Sequence, residues 1–91
     1  MDARQAFPTD LTEPQWMRVS HLIPSPRNGG RPAKYARREI VNALLYVRRT
    51  GCHWRALPHS LPPWRIVYWY VMAWKRDGTL DRLFDELRDE Q

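Results

Sequence analysis

The chain has 91 residues, of which 43% are apolar, and its formal net charge at pH 7 is +5. This length allows one domain with one modest core, and the apolar fraction argues against a chain that is disordered throughout. Because no apolar run approaches the ~20 residues that cross a bilayer, and no signal peptide is evident, we expect a cytoplasmic protein with no membrane partner. A lone Cys52 excludes an internal disulfide.

The hydrophobic spacing predicts helices throughout and no strands. We therefore expect an all-α fold, a small bundle of four to five helices, in a single domain that covers residues 1–91. The predicted helices lie at about 13–23, 37–50, 53–57, 63–77 and 80–89, and a basic loop at 24–36 joins the first two.

The first two helices have clear signals at their ends. Thr12 and Gln15 form a capping-box pattern that starts the first helix, and Pro24 ends it. The second helix ends at Gly51, which suits the left-handed position that follows many helices. The buried stripes are Trp16, Val19 and Ile23 in the first helix, and Ile40, Val41, Ala43, Leu44 and Val47 in the second.

The helix predicted at 63–77 has two distinct faces. Pro63 opens this helix, since a proline in the first turn lacks only an amide that has no helical partner, and Gly78 ends it. The face expected to be buried consists of Trp64, Val67, Val71 and Trp74. The opposite face is left for a partner and carries Arg65, Trp69, Met72 and Arg76, with Tyr68 and Lys75 on one shoulder.

Thr79 is expected to cap the last helix, and the acidic residues of that helix form a solvated face.

We find no Gly-rich phosphate loop, nucleophile elbow or paired catalytic carboxylates. Cys52, His53 and His59 do not have the spacing of a four-ligand zinc site. The sequence therefore predicts no catalytic residue, no metal and no cofactor.

The positive charge is concentrated in the middle of the chain. Between residues 15 and 76 there are twelve Arg and Lys residues and one acidic residue, Glu39, whereas both ends are net negative. Arg and Lys side chains that neutralise phosphates release condensed counterions, so a compact basic body attracts nucleic acid. The charge pattern therefore predicts double-stranded DNA as the partner.

The order of the predicted helices is typical of a helix-turn-helix arrangement, with the helix at 63–77 as the recognition helix. In that motif the N-terminal part of the second helix enters the major groove, so Arg65, Tyr68 and Trp69 are expected to contact bases or backbone. The alternative is that this helix is only the core of a bundle, with Arg65 and Arg76 as solubilising charge.

The basic loop contains Gly30-Arg31-Pro32, which is similar to the core of an AT-hook. Pro32 biases Arg31 toward an extended geometry, which suits the narrow minor groove of A·T-rich DNA, and Arg37 and Arg38 would contact phosphates beside it. The alternative is a solvated loop. The predicted DNA-binding residues are Arg31, Lys34, Arg37, Arg38, Arg55, Arg65, Tyr68, Trp69, Lys75 and Arg76.

Several segments, in a fixed order, carry a resemblance to a known family. They are Leu11-Thr12-Glu13-Pro14-Gln15-Trp16, Gly29-Gly30-Arg31-Pro32, Gly51-Cys52-His53-Trp54-Arg55-Ala56-Leu57-Pro58, Leu61-Pro62-Pro63-Trp64-Arg65, Val67-Tyr68 and Trp74-Lys75-Arg76-Asp77-Gly78. Over roughly residues 9–88 the chain resembles the small N-terminal domain of bacterial insertion-sequence transposases of the insertion-sequence-five group. The resemblance implies a helical DNA-binding module that recognises the terminal inverted repeats of the element.

In that family a ribonuclease-H-like domain with an Asp-Asp-Glu metal triad follows and cuts and joins DNA. The chain stops at Gln91, where the family continues into its first catalytic strand, so we expect no enzymatic activity from this chain. The resemblance implies a first-frame product that works with a separately encoded transposase catalytic subunit, or one that represses its own element. Formation of a homodimer is a further possibility that the sequence leaves open.

The sequence departs from the family within the predicted recognition helix. Ile66 stands where the family often has Thr, and Val71-Met72-Ala73 where an aromatic followed by basic residues is common. These departures remove hydrogen-bond donors from the outer face and favour Arg65, Tyr68, Lys75 and Arg76 as contacts. Two other functions stay open: a domesticated DNA-binding regulator, and a protein-interaction module that uses Trp69 and Met72.

Overall fold

The computed structural model describes residues 4–23 and 35–88. Over these ranges the chain forms four α-helices and two 3₁₀ turns and has no strand, which confirms the all-α prediction. The α-helices are α1 (Glu13–Val19), α2 (Arg37–Thr50), α3 (Trp64–Asp77) and α4 (Thr79–Arg88), and the 3₁₀ turns are Ser20–Leu22 and Trp54–Ala56. Within the described ranges, no helix combines the length and the apolar character that a membrane crossing requires.

Helix α1 starts at the capping box that the sequence predicts. The amide of Gln15 donates to Thr12 Oγ1 at 3.2 Å, and the amide of Thr12 donates to Gln15 Oε1 at 2.8 Å. The chain then tightens into the 3₁₀ turn Ser20–Leu22 and becomes extended at Ile23. A residue before proline is biased toward extended backbone, so the predicted helix at 13–23 ends at residue 22.

Two glycines end the central helices. Gly51 and Gly78 have φ angles of 73° and 86°, a left-handed conformation that L side chains rarely adopt. Helix α2 covers Arg37–Thr50, which is the predicted range, and α3 begins at Trp64 with Pro63 as its N-cap.

The start of α4 differs from the prediction that Thr79 is its cap. Thr79 is already helical and buried, and its amide donates to Asp77 Oδ1 at 2.9 Å. Because Gly78 alone joins α3 to α4, the last residue of α3 supplies the capping carboxylate. The hydrogen bonds from Thr79 hold the pKa of Asp77 below its ordinary value.

All four α-helices contribute to one core. Contacts between helices join α3 to α4, α2 to α3 and α1 to α4. The largest fully buried side chains are Val19 from α1, Ile40, Val41 and Leu45 from α2, Val67 from α3 and Leu83 from α4. Helix α2 is buried on all sides from residue 40 to residue 45, whereas α1, α3 and α4 each have one side in the core and present the other to solvent.

Helix α3 buries most of the face that the sequence predicts, with differences at Met72 and Trp64. Val67, Val71 and Trp74 are buried as expected. Met72, expected on the free face, is instead half-buried and packs against the core, because α3 contacts both α2 and α4. Trp64, expected in the core, is only half-buried, because it lies at the first turn of α3.

A polar network attaches the N-terminal segment to α2. Arg4 donates to both carboxylate oxygens of Glu39, and also to Asp10 at 2.9 Å. The buried side chain of Asn42 accepts from the amide of Leu11 at 2.8 Å and donates to Glu39 at 2.7 Å. The network satisfies the side chains of Glu39 and Asn42 and joins residues 4–11 to the start of α2, whereas the buried Asp10 Oδ1 has no hydrogen-bond partner among the described residues.

Candidate nucleic-acid interface

At the first turn of α3, the indole ring of Trp64 contacts two arginine side chains. The Cζ atoms of Arg55 and Arg65 lie 5.7 Å and 5.6 Å from the centre of the Trp64 ring. A guanidinium at this distance is attracted by the negative face of the ring. The Trp64 ring therefore contacts two positive charges, one from the 3₁₀ turn and one from α3.

Both of these arginines are available to a ligand. Arg55 and Arg65 are exposed, and in the described part of the chain no carboxylate forms an ion pair with either of them. A guanidinium that is positioned but not neutralised is suited to bind phosphate or the edge of guanine.

Tyr68 fixes the 3₁₀ turn Trp54–Ala56 against α3. Its ring makes edge contacts with the rings of Trp54 and Trp64, at centroid distances of 5.6 Å and 6.5 Å. Edge-to-face contacts of this kind stabilise a defined arrangement of the rings. Because Arg55 lies within this turn, the aromatic cluster places the backbone of Arg55 beside α3.

The outer face of α3 is the surface formed by Arg65, Ile66, Trp69 and Arg76. These residues lie on one side of the helix, opposite the buried residues Val67 and Trp74. All four are exposed, and the Trp69 side chain is 65% exposed. From Trp64 to Arg76 the helix contains no acidic residue, so this face is uniformly neutral or positive.

The basic residues of α3 lie near its two ends. Arg65 is in the first turn, whereas Lys75 and Arg76 are in the last. With a helical rise of 1.5 Å per residue, Arg65 and Arg76 are separated by about 16 Å along the axis. The major groove of B-DNA is about 12 Å wide, so the two ends of α3 are far enough apart to reach different parts of the groove and its borders.

Two of the predicted phosphate contacts have partners inside the protein. Arg37 donates to the carbonyl oxygen of Ile23 at 2.6 Å. Arg38 donates to Glu13 at 2.7 Å and to the carbonyl oxygen of Leu11 at 3.4 Å. These bonds join α2 to α1, and a phosphate would have to compete with them. The structure therefore does not group Arg37 and Arg38 with Arg55 and Arg65.

Arg31 and Lys34 lie outside the described residues, and so does the AT-hook-like segment of the basic loop. Their contact with the minor groove stays a prediction from the sequence.

A groove of about 580 Å³ lies between the start of α2 and the start of α3. Its lining includes Tyr35, Ala36, Arg55, Pro63 and Trp64. Ala36 and Pro63 are the N-caps of α2 and α3, and neither makes a side-chain capping bond. The positive ends of two helices therefore lie beside Arg55, and Glu39, the acidic residue among the described residues of the lining, is paired with Arg4.

Sequence reasoning named Arg55 and Arg65 but missed the part that Trp54 and Trp64 play. A signal was present, because Trp54-Arg55, Trp64-Arg65 and Trp74-Lys75 each place a basic residue directly after a tryptophan. The first two of these pairs converge in the structure. The third does not join them, because Trp74 is buried in the core.

Cys52, His53 and His59 are potential metal ligands that are close together in the sequence. Within the described residues, no group of three His, Cys, Asp or Glu side chains is arranged to hold a metal ion. Cys52 is a half-buried free thiol, and His53 and His59 are exposed.

Comparison with known proteins identifies the family. A protein-family model described as "Putative transposase of IS4/5 family" (DUF4096) matches residues 11–84. The "Uncharacterized protein y4sN" of Sinorhizobium fredii (strain NBRC 101917 / NGR234) is 32% identical over 80 residues, which are 88% of this chain and 64% of that protein. The chain thus spans less than two-thirds of this relative. No solved structure matches the chain at a significant level. The family match covers most of the sequence, and the chain belongs to the IS4/5 transposase family, DUF4096.

Proposed function

We propose that this chain binds double-stranded DNA through the outer face of α3 together with Arg55, and that it recognises the ends of an insertion sequence. The observation that carries the proposal is the contact of Trp64 with two unneutralised guanidiniums, those of Arg55 and Arg65. The membership in a transposase family supports DNA as the polyanion.

The proposed binding mode places the first turns of α3 in the major groove. Arg65 then lies near base edges, where a guanidinium pairs with guanine O6 and N7, and Arg55 lies near the backbone. Lys75 and Arg76 at the other end of α3 contact phosphates, which fix the register of the helix without reading sequence.

In this mode α2 and α3 act as a variant of the helix-turn-helix motif. Typical members join the two helices by a turn of about three or four residues. Here residues 51–63 make the connection and contain the 3₁₀ turn Trp54–Ala56. This longer connection lets Arg55 contact the same Trp64 ring as Arg65, and it adds a contact to DNA that a shorter turn lacks.

Two roles for the bound state follow from the family. The chain delivers a transposase catalytic subunit or domain to the ends of the element, or it occupies those ends and regulates the element. Both roles use the same surface. Both roles require that the protein recognise a defined sequence. Selection of binding sites from a random DNA pool therefore distinguishes either role from non-specific DNA binding.

A protein-interaction module is the less favoured function. This function requires an exposed apolar patch that contains both Trp69 and Met72. Met72 is half-buried and packs against the core, so it adds little to such a patch. The remaining exposed apolar side chains of α3 lie among arginines, which suits an anionic partner better than an apolar one.

Binding of a short fluorescent duplex tests the proposal. Arg55→Ala and Arg65→Ala should each weaken binding about ten-fold, the loss expected for one charged contact to DNA. Arg18→Ala is a charge-matched control, because Arg18 bonds to Glu86 and joins α1 to α4. The control should change affinity by less than about two-fold. Equal losses in all three variants would show that only net charge matters and would contradict the proposed surface.

A further inference from the structure

The outer face of α3 exposes two apolar side chains between its basic ones. Ile66 is 38% exposed and Trp69 is 65% exposed. The two residues are three positions apart in a helix, so their side chains are neighbours. Exposed apolar groups that adjoin one another commonly mark a contact surface.

The charges around these side chains identify the kind of occupant. Arg65 precedes them and Arg76 follows them on the same face, and no acidic residue lies between. A partner that covers Ile66 and Trp69 must therefore also accept positive charge at both ends of the helix. Duplex DNA offers this combination, because phosphates border a groove in which one base carries an apolar group.

That apolar group is the 5-methyl of thymine, which lies in the major groove. We propose that Ile66 and Trp69 contact thymine methyl groups, so that the outer face of α3 prefers sites with A·T pairs at the positions it covers. The inference rests on the proposed function, and it names thymine as a base that the outer face of α3 recognises. Arg76 contacts phosphate and Arg65 pairs with guanine where the site offers one, while Ile66 and Trp69 add discrimination in favour of thymine.

The size of the effect follows from the apolar area of a methyl group that binding removes from contact with water. Burial of one methyl-sized group strengthens binding by about four-fold, so two contacts amount to roughly ten-fold or somewhat more. A preference of this size is easily measured, and it is separable from the electrostatic attraction.

The test compares an alternating A–T duplex with the same duplex in which uracil replaces thymine. The two differ by the methyl group in the major groove, and their minor-groove edges present the same acceptors. Any contact of Arg31 in the minor groove therefore stays constant. The protein should bind the thymine duplex about ten-fold more tightly.

Single-residue variants show which side chains cause the preference for thymine over uracil. Ile66→Ala and Trp69→Ala should each move the thymine-to-uracil affinity ratio toward one. Met17→Ala is a matched control, because Met17 in α1 is 66% exposed and lies on another helix, and it should leave the ratio unchanged. Arg76→Ala should weaken binding to both duplexes and preserve the ratio, because Arg76 contacts phosphate.

The outcomes separate this inference from the proposed function. Tight and equal binding of both duplexes would overturn methyl recognition while leaving DNA binding intact. Failure to bind either duplex would overturn both. A ratio of one, together with self-association that Trp69→Ala abolishes, would instead make this face an interface between copies of the chain and would also overturn the inference.

Discussion

Arg4 and Glu39 form a two-point ion pair across a sequence separation of 35 residues. Arg4 Nε lies 2.6 Å from Glu39 Oε1, and Arg4 Nη2 lies 2.8 Å from Glu39 Oε2. The geometry is the parallel fork that makes arginine–carboxylate pairs specific. The pair holds the pKa of Glu39 below its ordinary value of 4.5, with a further contribution from the hydrogen bond of Asn42.

The lowered pKa of Glu39 predicts a pH-dependent contribution to stability. The stabilisation is fully present above the unfolded pKa and is lost as the pH falls through the lower folded pKa. Glu39→Gln should therefore lower the melting temperature at neutral pH, and the difference from the wild type should shrink below about pH 4.5. A difference that stays constant down to the acid limit would show that Glu39 acts through packing and not through charge.

Asn42 should be the most sensitive polar position of the core. It is 4% exposed and is the acceptor for the buried amide of Leu11. Asn42→Ala leaves that amide without its partner, so the free energy of unfolding should fall by about 1–3 kcal/mol. Urea denaturation at neutral pH measures the change. A loss below about 0.5 kcal/mol would mean that the amide of Leu11 finds another acceptor, such as water.

Gly51 tests whether backbone conformation alone ends α2. A Cβ atom at this position would have no neighbour within 4 Å, so only its φ of +73° opposes a side chain. Gly51→Ala should cost about 1–2 kcal/mol of unfolding free energy. Gly51→Asn should cost less, because asparagine tolerates the left-handed region. Equal losses for Ala and Asn would point to a contact and not to backbone strain.

Arg38 and Arg65 should differ in their effects on DNA binding. The guanidinium of Arg38 donates to Glu13 and to a backbone carbonyl, whereas Arg65 has no such carboxylate partner among the described residues. Arg38→Ala should weaken binding to all sequences alike and by less than Arg65→Ala. Anisotropy titrations with a selected site and a random duplex provide the comparison. A larger loss for Arg38→Ala would mean that the ion pair opens when DNA binds.

The positions of the helices could be predicted from local signals. The capping box at Thr12 and Gln15 and the glycines at 51 and 78 each act within one turn of the chain, so their effects are visible in the sequence. Helical spacing likewise identified Val67, Val71 and Trp74 as buried. These features depend little on which helices pack together.

The features that sequence reasoning missed depend on long-range packing. Met72 is half-buried because α3 has two helical neighbours, which a helical wheel does not show. The ion pair of Arg38 with Glu13 and the bond of Arg37 to Ile23 form only when α1 and α2 come together. A count of basic residues therefore overstated the charge that is free to meet phosphates.

The dependence of DNA affinity on salt tests the central claim most directly. If Arg55, Lys75 and Arg76 contact phosphates, the logarithm of the association constant should fall with the logarithm of salt concentration with a slope of about −2.7. Arg76→Ala should make the slope shallower by up to about one, whereas Arg18→Ala should leave it unchanged. A slope near zero, or no binding at about 50 mM salt, would contradict DNA binding by the outer face of α3.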